Sequence, residues 1–354
     1  MCQTQTQLVL QGAMLSCFLF TPQQIPCPNS LKQAGFNKKV VMSIKTSKVA
    51  VIGAGNVGAA VAFALVLLRK CVTVVLYDRT LSKAEGQAWD INDAIPLLEE
   101  MDVMPSNQYE DLADSDVIVV TVGVQLKQGQ SRLDTLGQNA EIIRSTMKEL
   151  DRVAPNAIVI IVSNPVDVLT RIALTTSTRA ENLIFGSGTV LDTARLRYQL
   201  GKQLNVNKQD VHVYVVGEHG DSEFIAWSSA SIGMIPLTEF PIPEGTSDEQ
   251  IQKEYTELTP KRGYAISERK GNTNYGVATV VAQLVDTILR DEKKIFTVSV
   301  RANSNYGVGS EVVLGLPSII GKGGVESQLL LPRNALEQRL LEESAAKLNE
   351  AYNS

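Results

Sequence analysis

From Lys48 onward the chain alternates short β-branched runs with longer stretches whose apolar residues recur at helical spacing, and this limits it to a parallel sheet with crossover helices. The runs KVAVIG at 48, VTVVLYD at 72, a weaker MDVMP at 101, DVIVVTVG at 116 and AIVIIVSN at 157 read as buried strands. NVGAAVAFALVLL, LSKAEGQAWDINDAI and NAEIIRSTMKELDRVA read as the helices between them. The expected class is α/β, with a doubly wound parallel sheet over residues 42–185. After about Asn182 the order changes to a helix from Leu191 to Leu204, a strand DVHVYVVG and an apolar segment FIAWSSASIG. A Pro-rich acidic loop, EFPIPEGTSDE, then precedes a long helical region to Arg290, strand-like FTVSVRA and EVVLGLPSIIG, and a terminal helix from Arg333 to Ala351. This predicts a mixed α+β second domain over 186–354, and 354 residues suit two domains.

Residues 1–41 stand apart. The apolar stretch from Leu8 to Phe20 is too short for a membrane span, no Lys or Arg precedes it, and Gln11 and Ser16 interrupt it. The region reads as an extension, a mis-assigned start or a disordered tail, because Met42 opens MSIKTSKVAVIG, which makes a first strand by itself. With 33 Lys+Arg against 38 Asp+Glu, a net charge of −5, 44% hydrophobic and 20% charged residues, the composition argues against disorder and against a general nucleic-acid surface. Neither nucleic acid nor membrane is an expected partner. Of the four cysteines, Cys2, Cys17 and Cys27 fall in the first 30 residues, and the body keeps only Cys71, which suits a reducing cytoplasm. There are two histidines, His212 and His219, so a three-histidine zinc site is excluded and any imidazole acid/base chemistry falls to one of them. No metal is expected.

Gly53-Ala54-Gly55-Asn56-Val57-Gly58 fits G-x-G-x-x-G between a strand and a helix. Gly53 permits the tight turn, Gly55 lets backbone approach a pyrophosphate, and Gly58 allows close helix–strand packing at a helix N-terminus that favours negative charge. Asp78 ends the second strand 20 residues beyond Gly58, where a carboxylate accepts hydrogen bonds from an adenine ribose. An acid there repels a 2′-phosphate, so NAD is the expected cofactor.

His219 lies between glycines in Gly217-Glu218-His219-Gly220-Asp221-Ser222 after a strand. Leu191-Asp192-Thr193-Ala194-Arg195 opens a helix with its Asp and Arg three apart, on one face. An acid such as Asp192 beside His219 orients the ring and raises its pKa, and Arg195 can fork onto a substrate carboxylate. The loop Gly123 to Arg132 leaves the fourth strand at the switch side of the sheet, and its glycines and polar residues suit a lid that carries Arg132. Tyr198-x-x-x-Lys202 has the Tyr/Lys spacing of short-chain dehydrogenases, but it follows directly on LDTAR, and the Gly-rich turn lacks that family's form.

GAGNVG, Asp78, the loop ending in SRLD, Ser163-Asn164-Pro165-Val166-Asp167, LDTAR and GEHGDS occur in the order and approximate spacing of the L-lactate/malate dehydrogenase superfamily, which the chain resembles from about residue 47 to its C-terminus. The resemblance implies a Rossmann-type first domain followed by a catalytic domain. It implies that His219 gives and takes the proton with Asp192 as its partner. Arg195 then binds the substrate carboxylate, and Arg132 polarises the carbonyl. It also implies that Asn164 contacts nicotinamide and substrate, that Thr273 lines the pocket, and that Val57, Lys83, Tyr109, Gly123, Ser145, Val162 and Ser187 lie along NAD. Leu126 holds the lid position that faces the substrate's side group, where malate dehydrogenases carry Arg and lactate dehydrogenases usually Gln. Leucine leaves a second carboxylate without a partner, so malate activity is disfavoured.

The closest implied activity is that of a bacterial L-lactate dehydrogenase acting on pyruvate and L-lactate as a homo-oligomer, a tetramer. An L-2-hydroxyisocaproate-type enzyme for longer aliphatic 2-oxo acids is the alternative, similar in NVGAAVA, FIAWS and NYGVAT. A catalytically silent NAD-binding sensor is the non-enzyme alternative. Arg197 and His212 stand where fructose-1,6-bisphosphate-activated bacterial lactate dehydrogenases bind their effector across a subunit interface.

Overall fold

The computed structural model describes residues 47–98, 101–124 and 132–354, the side chains of 132–134 excepted. The expectations for residues 1–41, for Leu126 and for the Arg132 side chain lie outside the described residues.

The β-branched runs become β1 (Lys48–Ile52), β2 (Thr73–Tyr77), β3 (Asp102–Ser106), β4 (Val117–Val120) and β5 (Ile158–Ile161), with β6 (Ile184–Gly186) after them. They alternate with α1 (Asn56–Leu67), α2 (Leu81–Asn92), α3 (Arg132–Val153) and α4 (Val166–Thr176). Every residue of β4 (VIVV) and β5 (IVII) is buried, as expected where helices cover both faces of a sheet. All six strands are parallel, in the order β6-β5-β4-β1-β2-β3. The winding reverses between β1 and β4, so the C-terminal ends of these two strands open the crevice in which such sheets bind ligand. The sequence reading omitted β6 because IFG is too short to show a period.

The second half holds α5 (Val190–Gln203), β7 (Val211–His212), β8 (Val215–Val216), β9 (Phe224–Ile225), β10 (Ser231–Ile232) and β11 (Ile235–Pro236). After these come α6 (Asp248–Leu258), α7 (Arg262–Lys270), α8 (Tyr275–Arg290), β12 (Lys294–Arg301), β13 (Val313–Gly321), β14 (Gly324–Gln328) and α9 (Ala335–Asn353). The antiparallel trio β12–β14 continues the parallel sheet, for β12 pairs with β6 through Ser299 and Gly186. Gly186 permits that approach, since a Cβ there would lie 2.8 Å from Ser299 Cβ.

Two details differ from the sequence reading. DVHVYVVG is not one strand: β7 joins β10 and β11, whereas β8 pairs with β9. Side chains of α5 take the backbone groups between and beside them, Arg197 Nε donating to Val213 O and Val215 N–H donating to Thr193 Oγ1. The long helical region breaks into α6, α7 and α8, with Pro260 between the first two and Gly271 (φ 87°) ending α7 in the left-handed region.

The larger core spans the sheet, and a second one gathers Leu196, Leu200, Val211, Val213, Val215, Ile225 and Ile251 around α5. Truncating a side chain such as Leu196 to alanine costs about 2–5 kcal/mol at so closed a site. Among the described residues no helix is long and apolar enough to cross a membrane.

Candidate active site

The glycine turn follows β1 at the switch point. Gly53 adopts φ 107°, and its N–H donates to Tyr77 O at 2.7 Å, which fixes the turn against β2. A Cβ on Gly58 would lie 1.7 Å from Gly53 O, so only glycine lets α1 start this close to the strand. Thr121, which no motif flagged, supports the turn from β4's end by donating to Ile52 O (2.9 Å) and Gly53 O (3.1 Å). Asp78 accepts from the N–H groups of Ala54 and Thr80, both at 3.0 Å, and Lys83 Nζ lies 3.3 Å away. Partial burial works to raise its pKa, but the Thr80 and Ala54 N–H groups and the Lys83 ammonium outweigh this and hold it below the usual carboxylate range.

The remaining cofactor positions collect around the same edge. Val57 is in the first turn of α1, and Tyr109 packs its ring 4.7 Å from that of Tyr77. Val162 and Ser187 follow β5 and β6 directly and are buried. Val124, next to Gly123, and Asn164 are linked through Asn139 of α3, another residue the sequence reading missed. Asn139 accepts from Val124 N–H at 2.7 Å and donates to Asn164 O at 3.1 Å. Ser145 is exposed on α3, with its hydroxyl bonded back to Ile142 O. A glycine cradle that a Cβ would fill, opening on a helix N-terminus, and an ionised acceptor at the end of β2 fit a dinucleotide without a 2′-phosphate.

The catalytic candidates converge from α4, α5 and the segment between β8 and β9. Asp192 lies in the first turn of α5, where the helix dipole favours a negative charge, and it is 2% exposed. Its Oδ2 lies 2.6 Å from His219 Nδ1, and its Oδ1 accepts from Arg195 Nη1 at 2.8 Å. Asp192 thus joins the two residues through opposite oxygens. Asp167, in the first turn of α4, accepts the backbone N–H of His219 (2.7 Å) and the hydroxyl of Ser299 (2.6 Å). The ring and the backbone of His219 are therefore each held by a different carboxylate.

The electrostatics follow from this. Burial disfavours a charged His219, but the Asp192 carboxylate reverses the balance and Asp167 adds to it, so the imidazole is pushed up to about 9. Burial also tends to raise Asp192, yet His219 and Arg195 hold its pKa below the usual value. Asp167 is pushed up to about 6 by burial, against the Ser299 and His219 donors. Glu223, which precedes β9, also lies in this cluster and was not foreseen. Nothing in the spacing of GDSEF marks a residue that reaches Asp192.

Thr273 sits half-buried just before α8. The start of α8 rests on α5, since a Cβ on Gly276 would meet Leu191 Cδ1 at 2.9 Å. Gly263 of α7 faces the Arg195 guanidinium, a Cβ there lying 3.5 Å from Nη1. Backbone placement puts Arg132 first in α3, after the segment that contains Leu126. Arg197 and His212 are brought to one region: Arg197 bonds Val213 O and stacks 5.1 Å above Tyr214, while His212 is exposed on β7.

Comparison with known proteins completes the description. Residues 47–186 match the family model for the lactate/malate dehydrogenase NAD binding domain, and residues 189–354 match its alpha/beta C-terminal domain. An L-lactate dehydrogenase of Thermoanaerobacterium saccharolyticum is 42% identical over 301 residues, covering 85% of this chain and 96% of its own. One from Moorella thermoacetica is 38% identical over 305 residues, covering 86% and 96%. Among solved structures, the lactate dehydrogenase of Cryptosporidium parvum complexed with lactic acid and nicotinamide adenine dinucleotide superposes with a TM-score of 0.82 at 32% identity. It covers 88% of this chain and 98% of its own.

Proposed function

Because the chain belongs to the lactate/malate dehydrogenase family, we propose that it is an NAD-dependent L-lactate dehydrogenase that interconverts pyruvate and L-lactate. The observation that carries this reading is the doubly bound Asp192, which links a proton-bearing imidazole to an arginine fork. Gly53, Gly55, Gly58 and Asp78 would hold NAD, whose reduced form would supply the hydride.

The chain's own residues supply the rest. His219, pushed up to about 9, is protonated near neutrality and gives that proton to the forming alkoxide; Asp192 then faces a neutral ring. One Arg195 donor is spent on Asp192, which aims the guanidinium and leaves its other donors for the substrate carboxylate. By its place in the family motif, Arg132 would supply positive charge near the carbonyl oxygen. Asn164 and Thr273 complete the pocket, and a leucine at position 126, by its place in the family motif, would give a second carboxylate no partner.

In this reading residues 42–185 carry the cofactor and 186–354 the substrate and its acid/base machinery. The protein works in the cytoplasm as a homotetramer. Phe63 and Leu67, one turn apart on α1 and 42% and 49% exposed, offer apolar surface for a second copy. Arg197 and His212 bind a phosphate of fructose-1,6-bisphosphate, supported by a guanidinium and an imidazole on neighbouring elements.

The test is kcat/KM for pyruvate, oxaloacetate and 2-oxoisocaproate with NADH, with and without the bisphosphate. Pyruvate should rank first, and Leu126→Arg should shift preference towards oxaloacetate. A clear preference of the unaltered enzyme for 2-oxoisocaproate would transfer it to the longer-chain class. A bisphosphate response that survives His212→Ala would remove the effector assignment.

A further inference from the structure

We propose that Glu223 is a third, proton-carrying member of the His219–Asp192 pair, and that its charge state sets how tightly His219 holds the proton it passes to substrate. This rests on the dehydrogenase reading above and adds a positioning residue rather than a reactant.

The geometry carries it. Carboxyl oxygens of Glu223 and Asp192 and a ring nitrogen of His219 all lie within 4.8 Å of one another. Both Asp192 oxygens are taken, one by Arg195 and one by His219, and Asp167 has its own donors in the His219 N–H and the Ser299 hydroxyl. Glu223 Oε1, by contrast, is buried with no hydrogen-bond partner. A buried carboxylate without a donor is costly, and one beside a second carboxylate more so.

The charges that act on Glu223 are those of Asp192 and Arg195 from α5 and of His219 from the segment after β8, while Asp167 of α4 acts on His219 and Glu218 acts on Asp167. Arg195 and the imidazolium are both bonded to Asp192, so a second carboxylate beside them gains by holding a proton. Glu223 is the one whose oxygen lacks a donor. In support, burial pushes its carboxyl up to about 9, with the Asp192 charge acting in the same direction and His219 and Arg195 against it.

The consequence concerns the proton on His219. A neutral Glu223 leaves Asp192, with Asp167 at the backbone, as the negative charges that act on the ring. When Glu223 loses its proton to solvent, a second negative charge arrives within 4.8 Å and stabilises the imidazolium. The two groups then titrate as one coupled system, and the chain keeps a protonated His219 to higher pH than Asp192 and Asp167 would allow without it.

Glu223→Gln retains size and removes the charge, so His219 should lose its proton at lower pH. The measurement is the pH profile of kcat/KM for NADH-dependent pyruvate reduction and NAD-dependent lactate oxidation, in the unaltered enzyme, Glu223→Gln and Glu223→Asp. In Glu223→Gln the alkaline limb of reduction and the acid limb of oxidation should both move down by about one pH unit. Glu223→Asp, which keeps a titrating group, should fall between the two. Limbs that stay in place, or an equal loss of kcat at every pH in both variants, would overturn the proposal.

A second measurement does not depend on turnover. The infrared difference spectrum of the unaltered protein against Glu223→Gln at neutral pH should show the carbonyl stretch of a protonated carboxyl, and its absence also overturns the proposal. If the unaltered protein fails to reduce pyruvate, the dehydrogenase reading falls, and the infrared band still decides the state of Glu223.

Discussion

Two carboxylates, one in each half of the molecule, show how differently the halves hold charge. Asp78 at the end of β2 is held by backbone N–H groups of Ala54 and Thr80 and by nearby Lys83, all within 24 residues of it and partly open to solvent. Asp192 is buried among side chains, His219 from 27 residues away and Arg195 from the next turn, with Asp167 and Glu223 behind them. The first arrangement is a turn that binds; the second is a charge cluster whose members set one another's protonation. Binding therefore should fail gently at the first site, and chemistry should fail steeply at the second.

The steepest break is His219→Ala. With the proton donor gone, pyruvate reduction should drop about 10²–10⁴-fold while NADH binding, followed by its fluorescence, stays unchanged. A comparable loss of NADH affinity would show that the two halves are not separable in this way.

Asp192→Asn should cost somewhat less, about 10²-fold in kcat, because it frees both the ring and the Arg195 fork rather than removing either. It also has a signature in stability against pH. His219 is raised from 6.5 to about 9 and Glu223 from 4.5 to about 9, so across that window the folded chain binds protons that the unfolded chain has released. Unfolding free energy must then fall as pH rises towards 9. Urea unfolding from pH 6 to 9 should show that fall in the unaltered protein and a weaker one in Asp192→Asn, where the imidazole has lost its partner. Equal slopes would mean that Asp192 does not hold the proton on His219.

The smallest effect belongs to Asp78→Asn. NADH should bind roughly tenfold more weakly, the loss expected of one charge-assisted acceptor, with kcat at saturating NADH little changed. The stability effect has the opposite sign from that at Asp192. Asp78 is held below its ordinary 3.8, so its contribution is present above that pH and is lost as pH falls through its folded value. The variant should flatten the acid side of the stability profile and leave the alkaline side alone. A change in kcat larger than the change in NADH affinity would break the contrast between the halves.

The same contrast explains how much could be read in advance. The parallel sheet was readable because β4 and β5 are buried on both faces and so are written as unbroken apolar runs. The glycine turn was readable because Gly53 and Gly58 answer to local steric demands, the plainer being the 1.7 Å clash a methyl at Gly58 would make. The break between β7 and β8 was not readable, since VHVYVV alternates as one strand would and the interruption comes from α5 side chains that claim its backbone. Asp167 stood in a recognisable run of letters, yet its hold on the His219 N–H exists only because α4 and the segment after β8 meet. Thr121, Asn139 and Glu223 lie in no motif, and each acts through a partner brought near by the fold.

By itself, then, the sequence determined the winding of the sheet, the position of the dinucleotide turn, the acid at the end of β2 and the small set of residues able to do acid/base chemistry. Those follow from periodicity, from glycine sterics and from the chain having two histidines. Only the tertiary structure decided which carboxyl faces which nitrogen, and therefore which group carries the proton. Protonation in a buried cluster is a property of distances between charges and of the donors each oxygen finds. Those distances are set by how α4, α5 and the β8–β9 segment pack, which no spacing along the chain records.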